Sequence, residues 1–88
     1  MAAPIFLNYF EYNTTQAIRN CCEGAIKMGQ RFEDRGSRLP SIQQSIQTKL
    51  GGQVCVVEST NPYQWAPGVT WCYIVGYGKW VYNINAYA

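Results

Sequence analysis

The chain has 88 residues, of which 48% are hydrophobic, 15% aromatic and only 14% charged. That length reads as a single domain over 1–88, and so little charge beside so much apolar content excludes intrinsic disorder. The net charge of +2 is scattered along the sequence, which excludes an electrostatic nucleic-acid footprint, and the absence of histidine excludes Ser-His-Asp and Cys-His catalysis and removes the commonest metal ligand.

The start, from Met1 to Asn8, lacks the basic segment and long apolar core of a signal peptide, so a cytosolic chain is expected. No apolar run approaches the roughly 18 residues of a membrane-spanning helix. Cysteines stand at 21, 22, 55 and 72, with no Cys-x-x-Cys spacing. Four reduced thiols serving as small apolar residues are the expectation, with Cys55 and Cys72 buried in the sheet. The competing reading is a secreted domain stapled by two disulfides, which the even cysteine count and the Asn13-Thr14-Thr15 glycosylation acceptor motivate.

In chain order, residues 4–10 are rich in Ile, Phe and Tyr and predict a first strand, with Pro4 at its start. Asn13, Thr14 and Thr15 offer an N-cap for a helix over about 15–28. Ile18, Cys21, Cys22, Ala25 and Ile26 form its apolar stripe, and Arg19, Glu23 and Lys27 its solvated face. Residues 29–38 carry both charge signs and two glycines and predict a solvated loop. A second helix follows, with Pro40 in its first turn. Its stripe is Ile42, Ile46 and Leu50, and Gly51-Gly52 stops it.

The remainder predicts strands. Residues 53–58 form a nearly continuous apolar run, as in a central strand, and 59–68, with two prolines, a loop or irregular edge. Residues 69–77 alternate, with Val69, Trp71, Tyr73, Val75 and Tyr77 on one face. Gly78-Lys79 matches a two-residue type II′ hairpin, and 80–87 the return strand. The expected architecture is α+β, two helices packed on an antiparallel sheet, in the order β-α-α-β-β-β-β. The second sheet face is expected to keep Trp71, Tyr73 and Tyr82 open for a partner.

No catalytic constellation emerges. Gly76-Tyr77-Gly78-Lys79 lies between strands, not in a phosphate loop. Glu33-Asp34 lies in a polar loop with nothing to desolvate it. The aromatic residues of the last strands could stack bases as in a sheet-type RNA binder, but only Lys79 is nearby. No enzyme activity, cofactor, metal, nucleic acid or membrane is expected.

The element order and several segments resemble the small hub-type dynein light chains. The first is Ala17-Ile18-Arg19-Asn20-Cys21-Cys22 in the first helix; others are the Ile42, Ile46, Leu50 stripe and Cys55-Val56-Val57. The last is the hairpin that runs from Trp71 through Gly76-Tyr77-Gly78 to Tyr82. The resemblance implies a non-catalytic light chain that forms a homo- or heterodimer. It would bind motor heavy or intermediate chains in a cytoplasmic or axonemal microtubule complex. Departures are Gln53-Val54 where the family has Trp-His, and Asn61-Pro62 where it has an aromatic-Gly turn. The family's exchanged, peptide-carrying strand corresponds to residues 62–67, where two prolines remove backbone donors. The expected partner-binding residues are Tyr63, Gln64, Trp65, Ala66 and Tyr73.

Overall fold

The computed structural model describes residues 4–62 and 68–88. They form an α+β domain: β1 (Phe6–Tyr12), α1 (Gln16–Gly29), α2 (Arg35–Leu50), β2 (Gln53–Ser59), β3 (Trp71–Tyr77) and β4 (Trp80–Tyr87). The four strands make one sheet in the order β1-β3-β4-β2, and each neighbouring pair is antiparallel. Both helices pack on one face of it.

The turn into α1 rests on three polar groups. Asn13 adopts a positive φ of 55° and its amide donates to the Thr70 carbonyl at 2.8 Å. Thr15 is the N-cap, its hydroxyl accepting from the Ile18 N–H at 3.2 Å. The predicted stripe is the buried one: Cys22 and Ile26 are fully buried and Ala25 nearly so. Glu23, expected on the solvated face, instead accepts from the Tyr73 hydroxyl at 2.7 Å.

The loop between the helices is shorter than the sequence suggests. Helix α2 starts at Arg35, with Asp34 as its N-cap residue. The Asp34 carbonyl accepts from the N–H groups of Ser37 and Arg38, so the first turn closes without Pro40. Pro40 lies inside the helix. What draws 35–38 into the helix is the Arg38 side chain, buried against the sheet. Ile42 and Ile46 are fully buried on the same stripe, whereas Leu50 is 38% exposed at the helix end.

Strand β2 is an edge strand, not a central one. The hairpin places β4 against one side of β3 and β1 takes the other, so β2 pairs only with the far side of β4 among the described residues. Its apolar run therefore splits by face: Val54 is buried under the helices, while Cys55 and Val57 are exposed. The β3–β4 turn matches its prediction, with Tyr77 opposite Trp80 and only Gly78 of the two turn residues at positive φ, 63°.

The two faces of β3 and β4 separate cleanly. Tyr73, Val75, Tyr77, Tyr82, Ile84 and Ala86 join the helix-side core. Val69, Cys72, Ile74 and Val81 form a smaller cluster on the other side. On β1 the register shifts between Asn8 and Phe10, the mark of a bulge. Phe6 stacks on Tyr77 on the helix side, with ring centroids 4.3 Å apart. The Tyr9 ring crosses Gly76, where an added Cβ would lie 2.7 Å from it, so any other residue there would push the ring aside.

Candidate functional site

Three regions hold the groups a function could use: a buried charged cluster, the groove between the helices, and the margins of the sheet.

The cluster grows from two residues at helix and strand period. Arg38 lies one turn before Ile42 on the buried stripe of α2. Glu58 follows Val54 and Val56 at alternate positions of β2, which turns it to the helices. The two meet as a bidentate pair: Arg38 Nε donates to Glu58 Oε2 and Arg38 Nη2 to Oε1, both at 2.7 Å. Arg35 Nε adds a bond to Oε1 at 2.9 Å, and the Tyr82 hydroxyl one to Oε2 at 2.6 Å. Gln30 Nε2 donates to the Tyr82 hydroxyl at 2.9 Å. The remaining Arg38 nitrogen, Nη1, donates to the carbonyls of Phe32 and Glu33, each at 2.9 Å, which ties down the interhelical loop.

Burial by itself would raise the Glu58 carboxyl, but the hydrogen bonds from Arg38, Tyr82 and Arg35 hold it down at about 2. Burial and the bond to Glu58 push the Tyr82 phenol up to about 12. The cluster is closed. Both Glu58 oxygens and every Arg38 nitrogen have partners, and only Arg35, half exposed, brings the cluster to the surface. It fastens the loop and α2 to the sheet. Beside it, Arg35 stacks over the Trp80 ring at 4.9 Å, and the Lys79 ammonium lies 5.3 Å from the same ring.

The groove lies where α1 and α2 diverge, lined by Cys21, Gly24, Ala25, Met28, Ser45 and Lys49, with a volume near 260 Å³. Burial raises the Cys21 thiol, against a smaller opposing pull from Lys49, so it is not an activated nucleophile. Burial also pushes the Cys22 thiol up, and the Cys72 thiol to about 11. All four cysteines are free. Cys72 is fully buried as expected, but Cys55 is exposed on edge strand β2, which corrects its expected burial. Both sit opposite Asn85, one on each side of β4. Among the described residues no group of three His, Cys, Asp or Glu could hold a metal ion, and no helix is long and apolar enough to cross a membrane.

Of the expected partner-binding residues, Tyr63, Gln64, Trp65 and Ala66 lie outside the described residues. Tyr73 is 2% exposed and packs under α1, where its hydroxyl bonds Glu23. Tyr82 is fully buried in the same layer, and Trp71 is partly buried against it. The aromatic face expected to stay open is thus the face the helices cover, and its rings are not presented for base stacking either.

The exposed apolar residues lie elsewhere. Leu7, Tyr9, Phe10 and Tyr12 on β1 are 52%, 49%, 38% and 42% exposed, and Ile5, just before the strand, 74%. At the opposite margin, Val57 and Tyr87 are each 38% exposed. The aromatic enrichment of residues 4–10 pointed to a strand but could not say which margin it would occupy. Arg38 could have been found: it continues the Ile42–Ile46 stripe at four-residue spacing, and Glu58 is the only charge in the β2 run. No protein-family model matches the chain, and no curated protein sequence matches it.

Proposed function

We propose that the chain is a non-catalytic binding subunit of the dynein light chain type. In this reading it dimerises and stabilises motor heavy or intermediate chains in a microtubule-based complex, cytoplasmic or axonemal. The observation that carries the reading is the outer side of β2, which no other described strand pairs, directly before the segment that corresponds to the family's exchanged strand. A sheet edge with unpaired main-chain groups takes an extended strand from another chain by hydrogen bonding, with side-chain pockets adding selectivity. The strand-helix-helix-strand order supports the same reading. So does the closed Arg38–Glu58 cluster, which anchors β2 from the helix side and leaves its other margin to a partner.

The test is affinity capture of the tagged chain from a ciliated-cell extract, with the recovered proteins identified by mass spectrometry. Dynein heavy or intermediate chains should be recovered, and a Tyr63→Ala/Trp65→Ala variant should lose them. Recovery without any motor chain would refute the reading.

A further inference from the structure

We propose that Arg35 and Lys79, gathered at the Trp80 ring, form a carboxylate-binding subsite at the end of β2, so that the segment β2 takes from its partner is an acidic one. This inference rests on the reading of β2 as a strand-accepting edge and names the chemistry of what that edge accepts.

The charges at this end of the sheet do not balance. Arg38 already holds both Glu58 oxygens, each at 2.7 Å. One carboxylate neutralises one guanidinium, so Arg35, which reaches Glu58 through Nε, leaves a positive charge in excess. Its side chain is half exposed, and among the described residues no group accepts from its two Nη nitrogens. Lys79 adds a second charge. Its ammonium lies 5.3 Å from the centroid of the same ring over which the Arg35 guanidinium sits at 4.9 Å. The two cations are thus within about 10 Å of each other, roughly one Debye length at 0.1 M salt, and they repel.

The nearest acids in sequence do not relieve this. Glu33 and Asp34 precede Arg35, but the ion pairs among the described residues are Arg19–Glu11, Arg35–Glu58 and Arg38–Glu58. The Asp34 carboxylate instead accepts from the Ser37 hydroxyl at 3.3 Å. The indole attracts both cations without neutralising either, and with cations over the ring it is not free to stack a base. A carboxylate brought between Arg35 and Lys79 removes the repulsion, and the free Nη groups suit it geometrically.

Placement selects a chain segment over a free anion. Arg35 opens α2, bonds Glu58 near the end of β2 and lies over Trp80, whose neighbour Val81 pairs with Ser59. The cations therefore flank the last residues of β2 on the helix side. A strand added along the outer side of β2 turns alternate side chains to that face, where an acidic one meets Arg35 and Lys79 while the main chain pairs with the edge. A free phosphate would gain the cations alone.

NMR titration of the full chain tests this with three probes: a short blocked peptide alternating Val and Glu, its counterpart alternating Val and Lys, and inorganic phosphate. The Val-Glu peptide should shift the amides of residues 53–59 and the Trp80 indole and bind at least about ten-fold tighter than the Val-Lys peptide, the preference shrinking as salt is raised. Lys79→Gln, which removes no hydrogen bond or ion pair among the described residues, should weaken the Val-Glu peptide about three-fold with the circular dichroism unchanged. Shifts at 53–59 that do not distinguish the two peptides, or a Lys79→Gln variant that binds as the wild type does, overturn the acidic partner and leave the edge reading standing. No shift at 53–59 with either peptide overturns both. Phosphate that shifts the Trp80 indole as strongly as the Val-Glu peptide at equal concentration reduces the subsite to a plain anion site and overturns the proposal.

Discussion

On the helix side of the sheet, Tyr73, Tyr82 and Ile84 are at most 2% exposed, and the one buried carboxylate carries four hydrogen bonds. At the β1 margin of the same sheet, Leu7 and Tyr9, with Ile5 just before the strand, are 49–74% exposed. Both regions are rich in aromatic and branched residues, so composition does not separate them. The helices do: two amphipathic helices cover one face of the four strands, whereas Ile5, Leu7 and Tyr9 lie beyond their reach. The first region accordingly carries more of the domain's stability than the second.

The sharpest way to break this contrast is to open the closed side. Arg38→Ala leaves Glu58 buried with Arg35 and Tyr82 as its remaining side-chain donors. It should destabilise by about 3 kcal/mol, at the lower end for a broken buried pair because Arg35 persists. Urea unfolding measures this, and the double variant Arg38→Met/Glu58→Leu should recover most of the loss, since both charges leave together.

Acid attacks the same cluster without mutation. The Glu58 carboxyl protonates near 4.5 when unfolded and near 2 when folded. Its contribution is therefore complete above about pH 4.5, where both states are ionised, and is lost as pH falls through 2. The loss is on the order of 3 kcal/mol. Unfolding free energies measured between pH 6 and pH 2 should fall over that window in the wild type and stay flatter in the double variant.

The crossing of Tyr9 over Gly76 is a smaller lever. Gly76→Ala places a methyl group against the ring and should cost about 1 kcal/mol, because a half-exposed ring can move aside. In a Tyr9→Ala background the same substitution should be nearly neutral, which thermal unfolding of the four proteins decides. The thiols report the contrast with no stability change. In the native state Cys55 should alkylate at least about ten-fold faster than Cys72, as peptide mapping after brief labelling would show.

The sequence made the helices and hairpin legible because their signals are local. Thr15 caps, Ile18 to Ile26 repeat at helical period, and Gly78 supplies the one positive φ the turn needs. It misassigned β2 because an apolar run reads alike at an edge and at a centre; only the pairing of β4 with β3 excludes β2 from the middle. It placed Tyr73 and Tyr82 on the open face for a related reason: alternation separates two faces without saying which one the helices cover. The Arg38–Glu58 pair stayed hidden because its partners are 20 residues apart, and Arg38 sat in a stretch that reads as a polar loop.

On the proposed reading the domain is sealed on its helix side and takes its partner at the β2 margin of the sheet. Hydrogen exchange of the chain, free and bound to the partner that affinity capture recovers, tests this most directly. New protection should appear in residues 53–59, with α1 and α2 unchanged. Protection confined to the outer surfaces of α1 and α2, with β2 exchanging as in the free chain, would contradict it.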